Sequence, residues 1–318
     1  MGDSMDPRKI LTRHPANPLL TPERFSGVNT VFNPSPALLD DGRTVLLVSC
    51  TTFTGRANSF RETRVAWSED GVSFILDDHP LVRQSELTTP CDALGGIIDC
   101  RLTRVGDVYY FLVPQGTHEI GFEGVCMVMY KTRDFLSAQL VDIVALPNNR
   151  GASLFPETMD GYYWRLDRPM AGGGSIWLSR SPDMVHWGHH RPLLAPGYSI
   201  WNGHKIGPTP PIRVPQGWLV ILHGVDKPCD GTHYYIGAML LDAGDPSRIL
   251  GKTQSWLLAP EAPYEQQGQV CNVVFPCGAI AKPEIDELWL YYGAADTCVA
   301  LATGSLRAVV QACLEKKK

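Results

Sequence analysis

Val105-Gly106-Asp107-Val108-Tyr109-Tyr110-Phe111-Leu112 reads as a tight turn feeding a strand: Gly and Asp suit the turn, and the β-branched and aromatic run suits a buried pleat. The same unit recurs four times. Asp40-Asp41-Gly42-Arg43 precedes Thr44-Val45-Leu46-Leu47-Val48, and Asp160-Gly161 precedes Tyr162-Tyr163-Trp164-Arg165-Leu166. Gln216-Gly217 precedes Trp218-Leu219-Val220-Ile221-Leu222, and the degenerate Ile285-Asp286-Glu287 precedes Leu288-Trp289-Leu290-Tyr291-Tyr292. Turn positions 42, 106, 161, 217 and 286 are 64, 55, 56 and 69 residues apart, a period that fits a four-stranded propeller blade with its loops. A second series, Trp67-Ser68-Glu69-Asp70-Gly71, Lys131-Thr132-Arg133-Asp134-Phe135 and Arg180-Ser181-Pro182-Asp183-Met184, has the look of outer hairpin turns. The expectation is an all-β chain, a five-bladed β-propeller forming a single catalytic domain over residues 1–318. A short C-terminal helix from Ser305 to Leu314 precedes the basic tail Lys316-Lys317-Lys318. A two-sheet sandwich is the competing architecture, but five similar units favour closure.

Composition narrows the function classes. With 44% hydrophobic and 19% charged residues the chain has ample core material, and a net charge of −5 with scattered basic residues offers no footprint for nucleic acid or an anionic membrane. No apolar run approaches the ~18 residues that span a bilayer. The polar, acidic start Met1-Gly2-Asp3-Ser4-Met5-Asp6 lacks the pattern of an export signal. Nine cysteines without a Cys-x-x-Cys pair read as reduced thiols, and no asparagine meets the glycosylation pattern, Asn33-Pro34-Ser35 carrying proline at the forbidden place. The expected home is the cytoplasm. A homo-oligomer is compatible with this composition.

Arg168, His223 and Asp296 follow the third, fourth and fifth repeated strands, and Arg150 and Lys205 lie upstream of two of them. Cations converging from separate blades would hold a tetrahedral oxyanion, phosphate above all, although any one arginine more often pairs with a neighbour such as Asp167 or Asp160. Asp99 interrupts the apolar stretch Gly95-Gly96-Ile97-Ile98-Asp99-Cys100-Arg101-Leu102. Burial would raise its pKa and Arg101 would lower it; strand alternation puts the two on one face, so a strand ion pair and a catalytic acid both remain open. Trp201, Tyr110, Tyr234 and Tyr235 are candidates to stack on a ligand ring, and His118 and Glu119 stand on a loop beyond the second blade. His186-Trp187-Gly188-His189-His190 lacks a carboxylate or thiol at ligand spacing, so no metal is expected.

These residues resemble glycoside hydrolase family 130, five-bladed propellers acting on β-mannosides, mostly as inverting phosphorylases. The resemblance runs through Phe32-Asn33, Asp99-Cys100-Arg101, Asn149-Arg150 to Leu154-Phe155-Pro156, Arg168-Pro169, Lys205-Ile206-Gly207, Gly217-Trp218-Leu219, His223-Gly224-Val225 and Tyr291-Tyr292-Gly293-Ala294-Ala295-Asp296-Thr297, in family order. It implies that Asp99 is the general acid, its proton passing through the mannose 3-hydroxyl, and that Arg150, Arg168, Lys205 and His223 hold phosphate. Asn33 and Asp296 would contact mannose, and Arg101, Tyr292 and Arg64 complete the expected substrate-binding set. Three departures stand out: Cys100 for a proline, Gly151 for a polar residue, and Lys205-Ile206-Gly207-Pro208-Thr209 for Lys-Ile-Gly-Ala-Gly. The implied partners are a small mannoside and inorganic phosphate, or mannose 1-phosphate in reverse, with no resident cofactor. The cysteine-rich chain also resembles a protozoan branch whose members take mannose from GDP-mannose as well. The same cradle could hold either donor, and a β-mannosidase or a non-catalytic glycan binder are the remaining alternatives.

Overall fold

Each of the five turn-and-strand units lies in a different sheet, and in each the repeated strand is the second one out from the axis. The computed structural model describes residues 6–53, 59–83, 94–95, 98–117 and 125–315, so His118, Glu119, Gly96, Ile97 and the basic tail lie outside the described residues. The first strand, β1 (Leu11–Arg13), belongs to the last sheet. Blade 1 is β2 (Thr30–Leu38), β3 (Thr44–Phe53), β4 (Ser59–Ser68) and β5 (Ile75–Arg83). Blade 2 is β6 (Leu94–Gly95), β7 (Arg101–Val105), β8 (Val108–Thr117), β9 (Val125–Thr132) and β10 (Gln139–Ala145), with β6 and β7 both paired to β8. Blade 3 is β11 (Asn149–Leu154), β12 (Tyr163–Pro169), β13 (Ile176–Ser181) and β14 (Gly188–Leu194). Blade 4 is β15 (Lys205–Pro208), β16 (Ile212–Val214), β17 (Gly217–Asp226), β18 (His233–Leu241) and β19 (Ile249–Lys252). Blade 5 is β20 (Val274–Pro276), β21 (Ile280–Lys282), β22 (Glu287–Ala294) and β23 (Cys298–Ser305), finished on its outer side by β1. The second repeated series does form the hairpin turns between third and fourth strands.

The ring is closed twice over. Leu11 pairs Gly304 and Arg13 pairs Ala302, so the chain's first strand seals the blade built by its last ones. Five buried apolar clusters fill the seams between consecutive blades, including one between blades 5 and 1 that joins Val31, Val48 and Cys50 to Tyr291, Val299 and Leu301. That closed set of seams excludes the sandwich. Strands buried on both faces, such as β17, read as continuous apolar runs because a neighbouring blade covers each side. The C-terminal helix starts at Leu306, with Ser305 as its cap accepting the Ala308 N–H at 3.0 Å, and drives Leu306, Val309, Val310 and Cys313 into the seam of blades 4 and 5.

The innermost strands are the irregular ones. Between Phe32 and Ser35, opposite Ser49 and Leu47, β2 carries one extra residue, and between Asn149 and Ala152, opposite Pro169 and Asp167, so does β11. In blade 2, Gly95 pairs Gly116 and Arg101 pairs Leu112, which leaves two extra residues on the inner side. Asp99 is therefore not in a continuous strand with Arg101, as alternation predicts, but in the break between β6 and β7. Such interruptions re-aim side chains and recur next to functional sites.

Candidate active site

Asn33, Asp99 and Arg150 occupy these three irregularities, in neighbouring blades. Asn33 and Asp99 have left-handed backbone, φ 48° and 62°, as do Ala295 and Asp296 at the β22–β23 turn, φ 49° and 48°. Non-glycine residues hold that conformation at a cost of roughly 1–3 kcal/mol each, so the surroundings impose it. The Asp99 N–H donates to Ser49 Oγ at 2.8 Å, Arg101 donates to the Asp99 carbonyl, and Asn33 Nδ2 donates to Asp99 Oδ1 at 2.6 Å. Gly293 lets Asn33 come in: a Cβ there would lie 1.9 Å from Asn33 Oδ1. Burial, then the charge of Asp99, raises Asp296 to about 7, opposed by the Asn33 amide and Lys205.

The cations come from blades 2, 3 and 4. Arg168, 5% exposed, hydrogen-bonds the Arg150 carbonyl at 3.2 Å and Met170 Sδ at 3.6 Å and forms no ion pair among the described residues. Burial and the charges of Arg101 and Arg150 lower it to about 10. Asp167, the neighbour that could have neutralised it, is instead taken by Arg165 at 2.9 Å. Lys205 donates to Tyr234 Oη at 2.9 Å, and burial with Arg168 and Arg150 lowers it to about 8. His223, 1% exposed, packs 4.5 Å from the Phe275 ring and against Gly207, where a Cβ would lie 2.2 Å from its Cε1. Burial, Arg168, Arg101 and Lys205 hold it far below the ordinary histidine range, so it is a neutral imidazole. Neither of its nitrogens has a partner among the described residues, nor does Arg168 Nε. Buried polar atoms without a partner are uncommon, and among the described residues Arg101 Nε, Arg168 Nε and both His223 nitrogens are four of them.

The site is thus polarised. Blades 1, 2 and 5 bring Asn33, Asp99 and Asp296, while Arg150, Arg168, Lys205 and His223 stand on blades 3 and 4. Arg101 links the halves, its guanidinium lying 5.2 Å from the Phe275 ring centre. Tyr234 belongs to the same group, since Asp296, Arg168, Asp99 and Arg150 all act on it; among four candidate stacking aromatics it is the one so placed. Trp201 is core, fully buried against Gly224 and Gly237. Tyr235 packs on Trp256 at 5.4 Å and Tyr110 borders the seam of blades 2 and 3. Phe275, not singled out by any sequence pattern, is the residue that sequence reasoning missed.

Two expected substrate contacts point elsewhere. The Tyr292 hydroxyl donates to Glu265 Oε1 at 2.7 Å inside the seam of blades 4 and 5, because alternation on β22 turns it away from the channel. Arg64 sits on β4, the third strand from the axis, with its Nε on Glu62 Oε1 at 2.5 Å. Cys100 is a packing residue: its Sγ lies 3.1 Å from Thr63 Oγ1, and burial pushes the thiol up to about 12. The eight described cysteines are all free, and the described residues contain no cluster of potential metal ligands.

Fold and site together define a propeller that sets a carboxyl pair, Asp99 and Asp296, against a cluster of buried cationic side chains. The family model described as beta-1,4-mannooligosaccharide phosphorylase matches residues 9–315, and the chain belongs to that family, glycoside hydrolase family 130. It is 30% identical over 314 residues to the beta-1,4-mannooligosaccharide phosphorylase of Ruminococcus albus, covering 96% of this chain and 91% of that one. It is 37% identical over 243 residues, 74% of this chain and 64% of the other, to the beta-1,2-mannobiose phosphorylase of Listeria innocua. A solved Listeria innocua beta-1,2-mannobiose phosphorylase, in complex with beta-1,2-mannobiose, superposes with a TM-score of 0.81 at 27% identity over 95% of this chain and 99% of that one. No helix among the described residues is long and apolar enough to cross a membrane.

Proposed function

We propose that the protein is an inverting β-mannoside phosphorylase, acting on a β-1,2-linked mannobiose or oligomannan and phosphate to give α-mannose 1-phosphate. The observation that carries this is the polarity of the site: a sugar lying between the two halves has an acid on one side and a cationic cradle on the other. Phosphate held by Arg150, Arg168, Lys205 and the neutral His223 attacks the anomeric carbon. The C1–O bond breaks, and its electron pair stays on the leaving oxygen, which receives the proton that Asp99 supplies through the mannose 3-hydroxyl. Asn33 and Asp296 orient the mannose. Because phosphate is already a nucleophile, no second carboxylate is needed to activate water, and attack opposite the leaving group inverts the centre. The Coulombic and hydrogen-bond contacts to phosphate strengthen in a site from which water is largely excluded.

The test is incubation of the protein with β-1,2-mannobiose, with and without phosphate. α-Mannose 1-phosphate should appear only with phosphate, and Asp99→Asn should lower kcat by about 10²-fold or more while leaving the melting temperature within a few degrees. Mannose release at the same rate without phosphate would make the protein a hydrolase. GDP-mannose supplied alone with an acceptor is the control for nucleotide-sugar transfer, a reading that no feature of the site favours over phosphorolysis. Cytoplasmic residence is part of this proposal, supported by the set of free cysteines.

A further inference from the structure

Side chains along β3 alternate between two seams. Leu46, Val48 and Cys50 pack toward blade 5, and Val45 and Leu47 pack toward blade 2. The next position on the blade 2 side is Ser49, 1% exposed, where the pattern calls for another apolar residue. Two more hydroxyls share its face. Thr63 lies directly across from Ser49 on β4, and Ser35 lies across from Leu47 on β2, both fully buried. An apolar face of blade 1 is thus interrupted three times in one patch.

All three hydroxyls meet the segment that carries the acid. Ser49 Oγ accepts the Asp99 N–H at 2.8 Å, and Thr63 Oγ1 lies 3.1 Å from Cys100 Sγ. Ser35 Oγ accepts the Leu102 N–H at 2.8 Å and donates to the Cys277 carbonyl of blade 5 at 3.2 Å. Asp99 itself has no ladder partner, because β6 ends at Gly95, opposite Gly116, and β7 begins at Arg101, opposite Leu112. Its backbone is held by side chains instead: Ser49 takes the N–H and Arg101 donates to the carbonyl. Asp99 is left-handed at φ 62°, and Cys100 after it lacks the locked ring by which a proline would stiffen the turn. An apolar residue at position 49 would fill the seam but leave the Asp99 N–H without its acceptor.

From this geometry we infer that Ser49 is a positioning residue for the acid: from blade 1 it fixes the backbone of Asp99 on blade 2, so that the carboxyl stays where it delivers its proton. Ser35 secures the far end of the same turn at Leu102. Among the described residues the carboxyl is tied at Oδ1 alone, by Asn33 at 2.6 Å, and a short side chain so lightly held follows the backbone that carries it. The inference rests on the reading of Asp99 as the general acid of a phosphorylase.

The test uses Ser49→Ala, which removes the acceptor, and Ser49→Cys, which keeps the shape but offers only a weak one. Two substrates are compared, each with phosphate. β-1,2-Mannobiose needs a proton on its leaving oxygen, whereas 2,4-dinitrophenyl β-mannoside departs as a stable phenolate and needs none. Both variants should lower kcat on mannobiose about ten- to hundredfold, as when a reacting group is misplaced by about an ångström, with KM for mannobiose and phosphate within about twofold. On the aryl mannoside the loss should stay under about threefold. Asp99→Asn should show the same contrast between substrates, and adding Ser49→Ala to it should slow mannobiose turnover by less than about threefold more, because the two residues act as a unit. Amide hydrogen exchange across residues 98–102, read by mass spectrometry, should quicken in both Ser49 variants. An undiminished kcat on mannobiose, equal losses on the two substrates, or losses that multiply in the double variant would make Ser49 a packing residue and overturn the proposal. If the wild type forms no mannose 1-phosphate from either substrate, the phosphorylase reading fails on its own account. Exchange then decides whether Ser49 holds the turn: faster exchange sustains it, and unchanged exchange overturns it.

Discussion

Lys205 is the residue whose chemistry is most sensitive to its surroundings. Its ammonium is packed beside Arg168 and Arg150, and a group with its pKa lowered to about 8 loses its proton within an accessible range. In the proposed phosphate cradle the protonated lysine holds an anion and the neutral one does not, so affinity for phosphate is greatest well below pH 8 and falls as pH rises through it. Once the anion binds, its charge favours the protonated lysine again. KM for phosphate, corrected for phosphate's own ionisation, is expected to rise as pH passes through 8, and Lys205→Arg should remove that break. A flat profile from pH 7 to 10 would remove Lys205 from the cradle. In the same proposal His223 acts as a neutral donor, because burial and the nearby cations hold it well below the ordinary histidine range. The sequence shows these residues as polar groups after apolar strands, but their pKa shifts come from neighbours that lie on other blades.

At the level of elements, the innermost strands are built to be imperfect. One extra residue in β2 and β11 and two between β6 and β7 give Asn33, Asp99 and Arg150 positions that a regular strand would deny them. The strands next to them are regular, and there alternation decides. On β22 it turns Tyr292 into the seam, where Glu265 also holds Arg13 Nε at 2.8 Å and the Ala262 N–H at 2.9 Å. Tyr292→Phe should therefore cost about 1–3 kcal/mol of stability, seen as a lower urea midpoint, and leave the mannoside KM unchanged. An unchanged midpoint with a raised KM would return Tyr292 to the binding site. Motif order placed Tyr292 beside Asp296 in the chain, yet four residues suffice to separate a seam from a channel.

For the whole molecule, closure is the dominant fact. β1 and the Arg13 ion pairs with Glu261 at 3.1 Å and Glu265 at 2.8 Å join the two ends of the described chain across blade 5. Removing residues 1–13 exposes the edge of β23 and one side of the largest seam, and leaves Glu265 buried without its cation. Loss of such a partner costs roughly 3–5 kcal/mol, so the truncated protein should melt at least several degrees lower and aggregate through the open edge. A melting curve superimposable on that of the full chain would show that the seams alone close the ring. Polarity of the central site is equally a property of the whole, because no blade carries both its acid and its cradle.

The number of blades, their second strands, the hairpin turns and the C-terminal helix are written in local patterns, and so are the residue types from which the site is assembled. Local periodicity determines such things because a turn, a pleat and a helix cap each depend on a few consecutive residues. Which side chains meet was decided only by the tertiary structure. One inserted residue reverses the facing of all that follow, and that choice is made by the neighbouring blade rather than by the strand itself. Hence Asp99 could be named from the sequence, whereas the left-handed turn that aims it, Phe275 beside His223, the departure of Tyr292 and the Ser49 hydroxyl behind the acid emerged from packing.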